Sequence, residues 1–132
     1  MTQTQTIQSI YQAFGRGDVP AILAQLRADV EWEHDALDHG IPWHKPGRGT
    51  AHVRSFFTVV AEQLTISKFD VSPLFETGNR VIAVIDLEGT VRATGKRIRD
   101  LELHLWTFDG EGKVAKYRHV VDTHQHWLAS RA

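Results

Sequence analysis

The sequence predicts an α+β domain in which three N-terminal helices pack on a strongly curved antiparallel sheet, forming a cone with an internal pocket. Three observations carry that expectation. Apolar residues of the first half recur at helical spacing. Those of the second half alternate and are rich in β-branched and aromatic types. Short turn signals join the segments of the second half, as antiparallel hairpins require. Helices first and a strand meander last is the segregated α+β order, and 132 residues suit one domain, 1–132.

Ile7, Ile10, Tyr11 and Phe14 fall at i, i+3, i+4 and i+7, one face of an amphipathic helix that Gly15 and Gly17 end. Asp18 is a natural cap for a second helix, with Pro20 tolerated in its first turn and Val19, Ile22, Leu23 and Leu26 on its apolar face. A short strand is expected over Val30–His34, then a loop rich in Gly, Pro and His from Asp35 to Gly49. Thr50 caps the expected third helix, whose stripe is Val53, Phe56, Phe57, Val60 and Leu64. Strands follow over Ile66–Phe75, Arg80–Ala93, Lys96–Phe108 and Lys113–Asp122. Their turns are Thr77-Gly78-Asn79, Thr94-Gly95 and Asp109–Gly112, and Pro73 and Gly89 mark bulges. A short helix over His124–Ala129 closes the chain.

Composition narrows the function. Hydrophobic residues make up 42% and charged residues 23%, an ordinary globular balance. With no cysteine, disulfides, zinc–thiolate sites and cysteine nucleophiles are excluded. A net charge of −1 argues against nucleic acid, which needs a basic surface. No apolar run reaches membrane-span length and the N-terminus lacks a signal pattern, so the expectation is a cytoplasmic protein without a membrane partner. No Gly-x-Ser-x-Gly elbow or phosphate-binding glycine loop is present, and no cofactor is expected. The unusual feature is eight histidines, the side chain that exchanges protons near neutral pH.

Several segments together resemble the nuclear-transport-factor-two-like superfamily, and within it the SnoaL-like and ketosteroid isomerase-like proteins. They are the opening IYQAFGRGDVPAILAQL, the run Ala28-Asp29-Val30-Glu31-Trp32, the Pro46–Gly49 turn before Ser55-Phe56-Phe57, and the final WTFDGEGKVAKYRHVVD. The resemblance covers nearly the whole chain and implies a pocket on the concave sheet face. Where ketosteroid isomerase keeps its general-base Asp after the first strand, this chain has His34. Its proton-donating Asp corresponds to His104. The Asp that SnoaL-like cyclases carry seven residues after the hairpin glycine corresponds, counting from Gly112, to His119. By the same resemblance Asp86 lies on the strand that supplies an epoxide hydrolase Asp, and Asp122 matches a strand-end acid of SnoaL-like chains.

Alternation groups part of this set. His104 and Trp106 share one strand face and Leu101, Leu103 and Leu105 the other. A four-residue turn over Asp109–Gly112 sets His104 opposite Tyr117, with His119 on Tyr117's face. The expected catalytic residues are therefore His119, His104 and His34, and the expected substrate-binding residues Trp106, Tyr117, Trp32, Asp86 and Asp122. Neutral imidazoles can act as base and acid without a metal. Tyr11 reads as core. A metal is the lesser alternative, on His34, His39 and His44 or on His119, His124 and His126, because neither set has the spacing that fixes ligand geometry.

The expected function is cofactor-independent acid–base catalysis (isomerisation, cyclisation, hydration or hydrolysis) on a small apolar or amphipathic molecule. A non-catalytic binder or dimerisation module of the same fold is the alternative. A homodimer is expected through Leu101, Leu103 and Leu105, unless Trp127 and Leu128 fold over them.

Overall fold

A computed structural model describes all residues, 1–132. Two helices come first, α1 (Gln3–Gly15) and α2 (Val19–Leu23). Thr2 and Gln5 close a capping box on α1, and the Asp18 carboxylate accepts from the Ala21 N–H at 3.1 Å to cap α2. Strand β1 (Leu26–Trp32) follows, then a 3-10 turn at Pro42–His44, the two-residue β2 (Gly47–Arg48) and α3 (Thr50–Gln63). Strands β3 (Leu64–Val71), β4 (Phe75–Thr77), β5 (Arg80–Val91), β6 (Arg97–Phe108) and β7 (Val114–Val120) lead to α4 (Thr123–Ser130). The expected single strand over Ile66–Phe75 is split, because Pro73 cannot continue the ladder.

The sheet order is β2-β1-β7-β6-β5-β3, with β4 beside β5. Two expectations are corrected here. The sheet is mixed rather than antiparallel, since β1 runs parallel to β7 with Glu31 opposite Lys116 and Trp32 opposite Tyr117. Hairpin logic concerns neighbours in the chain, and this seam joins its two ends. Nor do three helices stack ahead of a closed cone: two precede β1, α3 lies between β2 and β3, and α4 is a full fourth helix. The strand path is open, and the sheet is neither closed nor strongly curled. Its irregularities are local bulges, one of them beside Gly89, where an added Cβ would stand 3.1 Å from the Thr65 carbonyl oxygen.

The helices cover one face. Ile7, Ile10 and Ala13 of α1 and Val53 of α3 are buried against Val30, Trp32, Val81, Trp106 and Tyr117 of the sheet. The α4 helix also turns inward, burying His126 and Ala129 and leaving Leu128 exposed. It does not cover the bare face, where Leu101 and Leu103 remain 67% and 39% exposed. No helix is long and apolar enough to cross a membrane.

Candidate functional site

Strand β6 sends its even-numbered residues under the helices. Asp100, Glu102, His104 and Trp106 therefore stand in one inward row. Across the hairpin, His104 pairs with His119 and Trp106 with Tyr117. The expected partner of His104 was Tyr117. The loop is one residue longer, with Phe108 opposite Val114, and a bulge adds another before Thr107 meets Lys116. A shift of two keeps the face, so the histidines still meet, with ring centroids 4.8 Å apart.

The third element is a kink after β1. Glu33 has φ 56° and Asp35 φ 68°, a left-handed backbone that costs a non-glycine residue roughly 1–2 kcal/mol. Trp32 and Glu33 consequently both point inward and are buried. His34, which plain alternation from Trp32 would turn inward, is half-exposed, its ring nitrogens 3.5 Å from Glu31 and 3.2 Å from Asp35. The expected inward His34 is thus replaced by Glu33.

Protonation follows from who can donate to whom. His119 Nε2 lies 2.7 Å from Glu102 Oε1 and Nδ1 3.1 Å from Glu33 Oε1. Carboxylates only accept, so both nitrogens carry hydrogen and the ring is an imidazolium. Burial pulls it down, but Glu102 and Glu33 outweigh that and raise its pKa to about 10. Glu102 is itself opposed by burial, yet His119, His104 and His126 hold it well below the usual carboxylate range.

His104 is different. The Trp106 indole N–H donates to Tyr11 Oη at 3.1 Å, and Tyr11 Oη is 2.7 Å from His104 Nδ1. The consistent assignment has the Tyr11 hydroxyl donating to Nδ1 and the His104 proton on Nε2, facing Glu102 Oε1 at 3.4 Å. Burial lowers the His104 pKa to about 4, so this ring is neutral. Burial also drives the Tyr11 hydroxyl well up.

Behind this row, the Trp43 indole N–H donates to His126 Nδ1 at 2.9 Å. An indole cannot accept, so His126 carries its proton on Nε2 and gives it to Asp100 Oδ2 at 2.8 Å. Burial disfavours the charged His126 ring, and Asp100 and Glu102 more than offset that. The indole contact is the firmer constraint and fixes the neutral tautomer. His44 is held down to about 2 by burial and by the charged His119.

Tyr11, Glu102, His104, His119 and His126 of this set line a cavity of ≈ 70 Å³, with Glu33, Asp100 and His44 behind them. Eight of the chain's twelve Phe, Tyr and Trp residues line it, with no lysine or arginine. Trp32 stacks on Tyr117 at 4.1 Å between centroids, and Trp106 lies 4.5 Å from Tyr117. Of the expected site residues, His104, His119, Trp106, Tyr117 and Trp32 line the cavity. Asp86 and Asp122 do not. Asp86 is on the outward register of β5 and pairs with Lys68 at 2.9 Å, and Asp122 caps α4 through the Gln125 N–H.

Sequence reasoning passed over Glu33, Asp100 and Glu102, read Tyr11 as core, and named His44 and His126 only in the lesser metal alternative. Asp100 and Glu102 were within reach, since they alternate in step with His104. Tyr11 sits on an apolar helical stripe and carries no such signal.

Two groups could offer converging metal ligands, Glu102 with His104 and His119, and Asp100 with Glu102 and His126. Hydrogen bonding accounts for both. In the second, Trp43 leaves the ligating nitrogen of His126 protonated. In the first, 2.7 Å between His119 Nε2 and Glu102 Oε1 is a charge-assisted hydrogen bond, whereas ligands ~2.1 Å from one tetrahedral zinc stand about 3.4 Å apart. The alternative histidine sets do not assemble either: His34 is half-exposed and His39 exposed while His44 is buried, and His124 is exposed while His126 is buried.

A helix-covered mixed sheet, closing an aromatic cavity on a carboxylate–imidazole floor, defines a class of small α+β domain built around one internal site. The family is shown by the match to the SnoaL-like domain over residues 7–117: the chain belongs to that family, within the NTF2-like superfamily. No curated protein sequence matches it. An NTF2-like protein from Burkholderia thailandensis has the same fold, with TM-score 0.85 and 28% identity over 100% of this chain and 99% of that one. One from Burkholderia xenovorans gives 0.82 and 25% over 98% and 95%. TerC, co-crystallised with polyporic acid, gives 0.82 and 23% over 98% of each chain.

Proposed function

We propose that this protein binds a small, largely apolar molecule in the aromatic cavity and moves a proton on it without a cofactor. The observation that carries the reading is the line Tyr11–His104–Glu102, a hydroxyl at the cavity wall, a neutral imidazole behind it and an ionised carboxylate behind that. A proton leaving the substrate at Tyr11 Oη is accepted as the Tyr11 proton passes to His104 Nδ1, and the ionised Glu102 facing Nε2 stabilises the imidazolium that forms. Reversal returns a proton, so the line serves isomerisation, cyclisation or hydration. The Trp106 N–H steadies charge on the Tyr11 oxygen. His119 is charged in this reading and keeps Glu102 ionised and in place; it is not the base. His34, Asp86 and Asp122 take no part.

The test is a turnover screen over ketones, epoxides and polyketide-like aromatics. Replacing His104 with Gln is expected to cost about 10²–10⁴-fold in rate. The wild-type rate should fall as pH drops through about 4, where His104 takes up a second proton. Substrates that bind but never turn over would instead support a carrier of the same shape. The bare face, with Leu101, Leu103 and Val120 exposed, supports a homodimer, because a monomer seldom leaves such a band uncovered. A chain without cysteine is also compatible with the reducing cytoplasm.

A further inference from the structure

We propose that the cavity selects an apolar cation, a small tertiary or quaternary ammonium or an iminium carrying hydrocarbon groups. The inference rests on the cavity of the preceding reading and adds the chemical class of its occupant.

Charge at the floor is the first argument. Glu102 at the cavity, with Glu33 and Asp100 behind it, brings three carboxylates under the helices, each with a side chain no more than 3% exposed. Opposing them is one imidazolium, His119. The other three imidazoles are neutral for separate reasons. The Trp43 N–H occupies one nitrogen of His126, the Tyr11 hydroxyl donates to one nitrogen of His104, and His44 Nε2 is buried with no partner. Even a second protonated ring would leave the carboxylates in excess. Glu33 Oε2 and Asp100 Oδ1 are also buried without a hydrogen-bond donor. A buried negative surplus in a medium of low polarity projects its field into the adjoining space, and no lysine or arginine lines the cavity to cancel it.

The walls argue the same way. Trp32, Trp106, Tyr11 and Tyr117 are among the eight aromatic residues around the space, and the face of each ring is the negative end of its quadrupole. A cation held against such a face gains what a neutral molecule of equal shape does not.

The donors beside the carboxylates are already committed. Both N–H groups of His119 are spent on carboxylates, and the Trp106 N–H on Tyr11. The Trp32 N–H, buried without a partner, is a donor left at the wall, and it serves a neutral acceptor as well as an anion, so it is the charge beneath the cavity that disfavours a carboxylate ligand.

Titration with a cation, its neutral isostere and an anion tests this, read by tryptophan fluorescence and calorimetry. They are phenyltrimethylammonium, its neutral isostere tert-butylbenzene, and benzoate. The cation is expected to bind about 3- to 30-fold more tightly than the isostere, with benzoate weakest. Asp100→Asn should reduce the cation's advantage and leave tert-butylbenzene unchanged, in protein whose circular dichroism matches wild type. His104→Gln should keep the binding order, since it alters the proton line and not the charge balance. Loss of turnover in His104→Gln therefore bears on the catalytic reading alone. Equal affinity for cation and isostere, a preference for benzoate, or no binding of phenyltrimethylammonium at millimolar concentration would each overturn the proposal.

Discussion

Between Asp100 and His104 the two faces of β6 are reversed from the usual pattern. An antiparallel strand with one covered face ordinarily hides apolar residues and wets polar ones. Here Asp100, Glu102 and His104 point under the helices while Leu101 and Leu103 face outward and stay exposed. Burying two carboxylates is costly unless each is paired, so the inward face gives up packing stability for placed charge. The outward face gives up solubility for an apolar band. Each face departs from the ordinary in the direction of a different proposed contact, the inner one with a small molecule and the outer one with a second chain.

If that contrast is right, substitution should have very unequal effects on the two faces. The largest belongs to Glu102→Gln, which takes the carboxylate from a cluster where His104, His119 and His126 all lie within 3.4 Å of it. A loss of about 3–5 kcal/mol in unfolding free energy is expected, measured in urea. A variant as stable as wild type would mean that the inner charges are not coupled.

Next in size is the pH dependence of stability. The folded His119 titrates at about 10 against an ordinary 6.5, so its contribution is complete below pH 6.5 and is lost as pH rises through 10. His104 and His44 are shifted the other way, to about 4 and about 2. Their contribution is present above pH 6.5 and is lost as pH falls through those values. Thermal unfolding should therefore peak near pH 6.5, and His119→Gln should flatten the alkaline side only. An alkaline limb that survives His119→Gln assigns it to another group.

A smaller effect isolates Glu33. Glu33→Gln removes one of the two carboxylates on His119 and should lower its titration midpoint by roughly 1–3 units, followed by NMR of the ring protons. No movement would show that Glu102 alone holds the charge. The smallest stability change is expected outside. Leu103→Lys should stay within ~0.5 kcal/mol of wild type yet halve the sedimenting mass. A mass of one chain in the wild type would remove the dimer.

How much of this was legible in the sequence depends on the range of the signal. The inward grouping of His104, Trp106, Tyr117 and His119 follows from period-two alternation, which survived a two-residue error in hairpin register because an even shift preserves the face. The capped helices α1 and α2 were likewise local. His34 was misread because the left-handed backbone at Glu33 and Asp35 breaks alternation, and neither residue type announces such a kink. The closed antiparallel cone was misread because hairpin reasoning is blind to a strand pair formed by the two ends of the chain. Tyr11 reads as core on its own helix and acquires its partner only from β6, 93 positions away.

That parallel seam bears on how the molecule comes into being. Glu33 and His119 are 86 positions apart, and they meet only once β7 has settled between β6 and β1. Contacts of such separation are formed late, since the chain between them loses its freedom before the contact rewards it. During synthesis the first strand must wait for almost the whole chain to emerge, its Trp32 and Glu33 without their final partners. The rate at which the native state is reached should therefore be set at this seam, and a chain ending before Val114 should hold neither its first strand in place nor a charged His119 beneath the cavity.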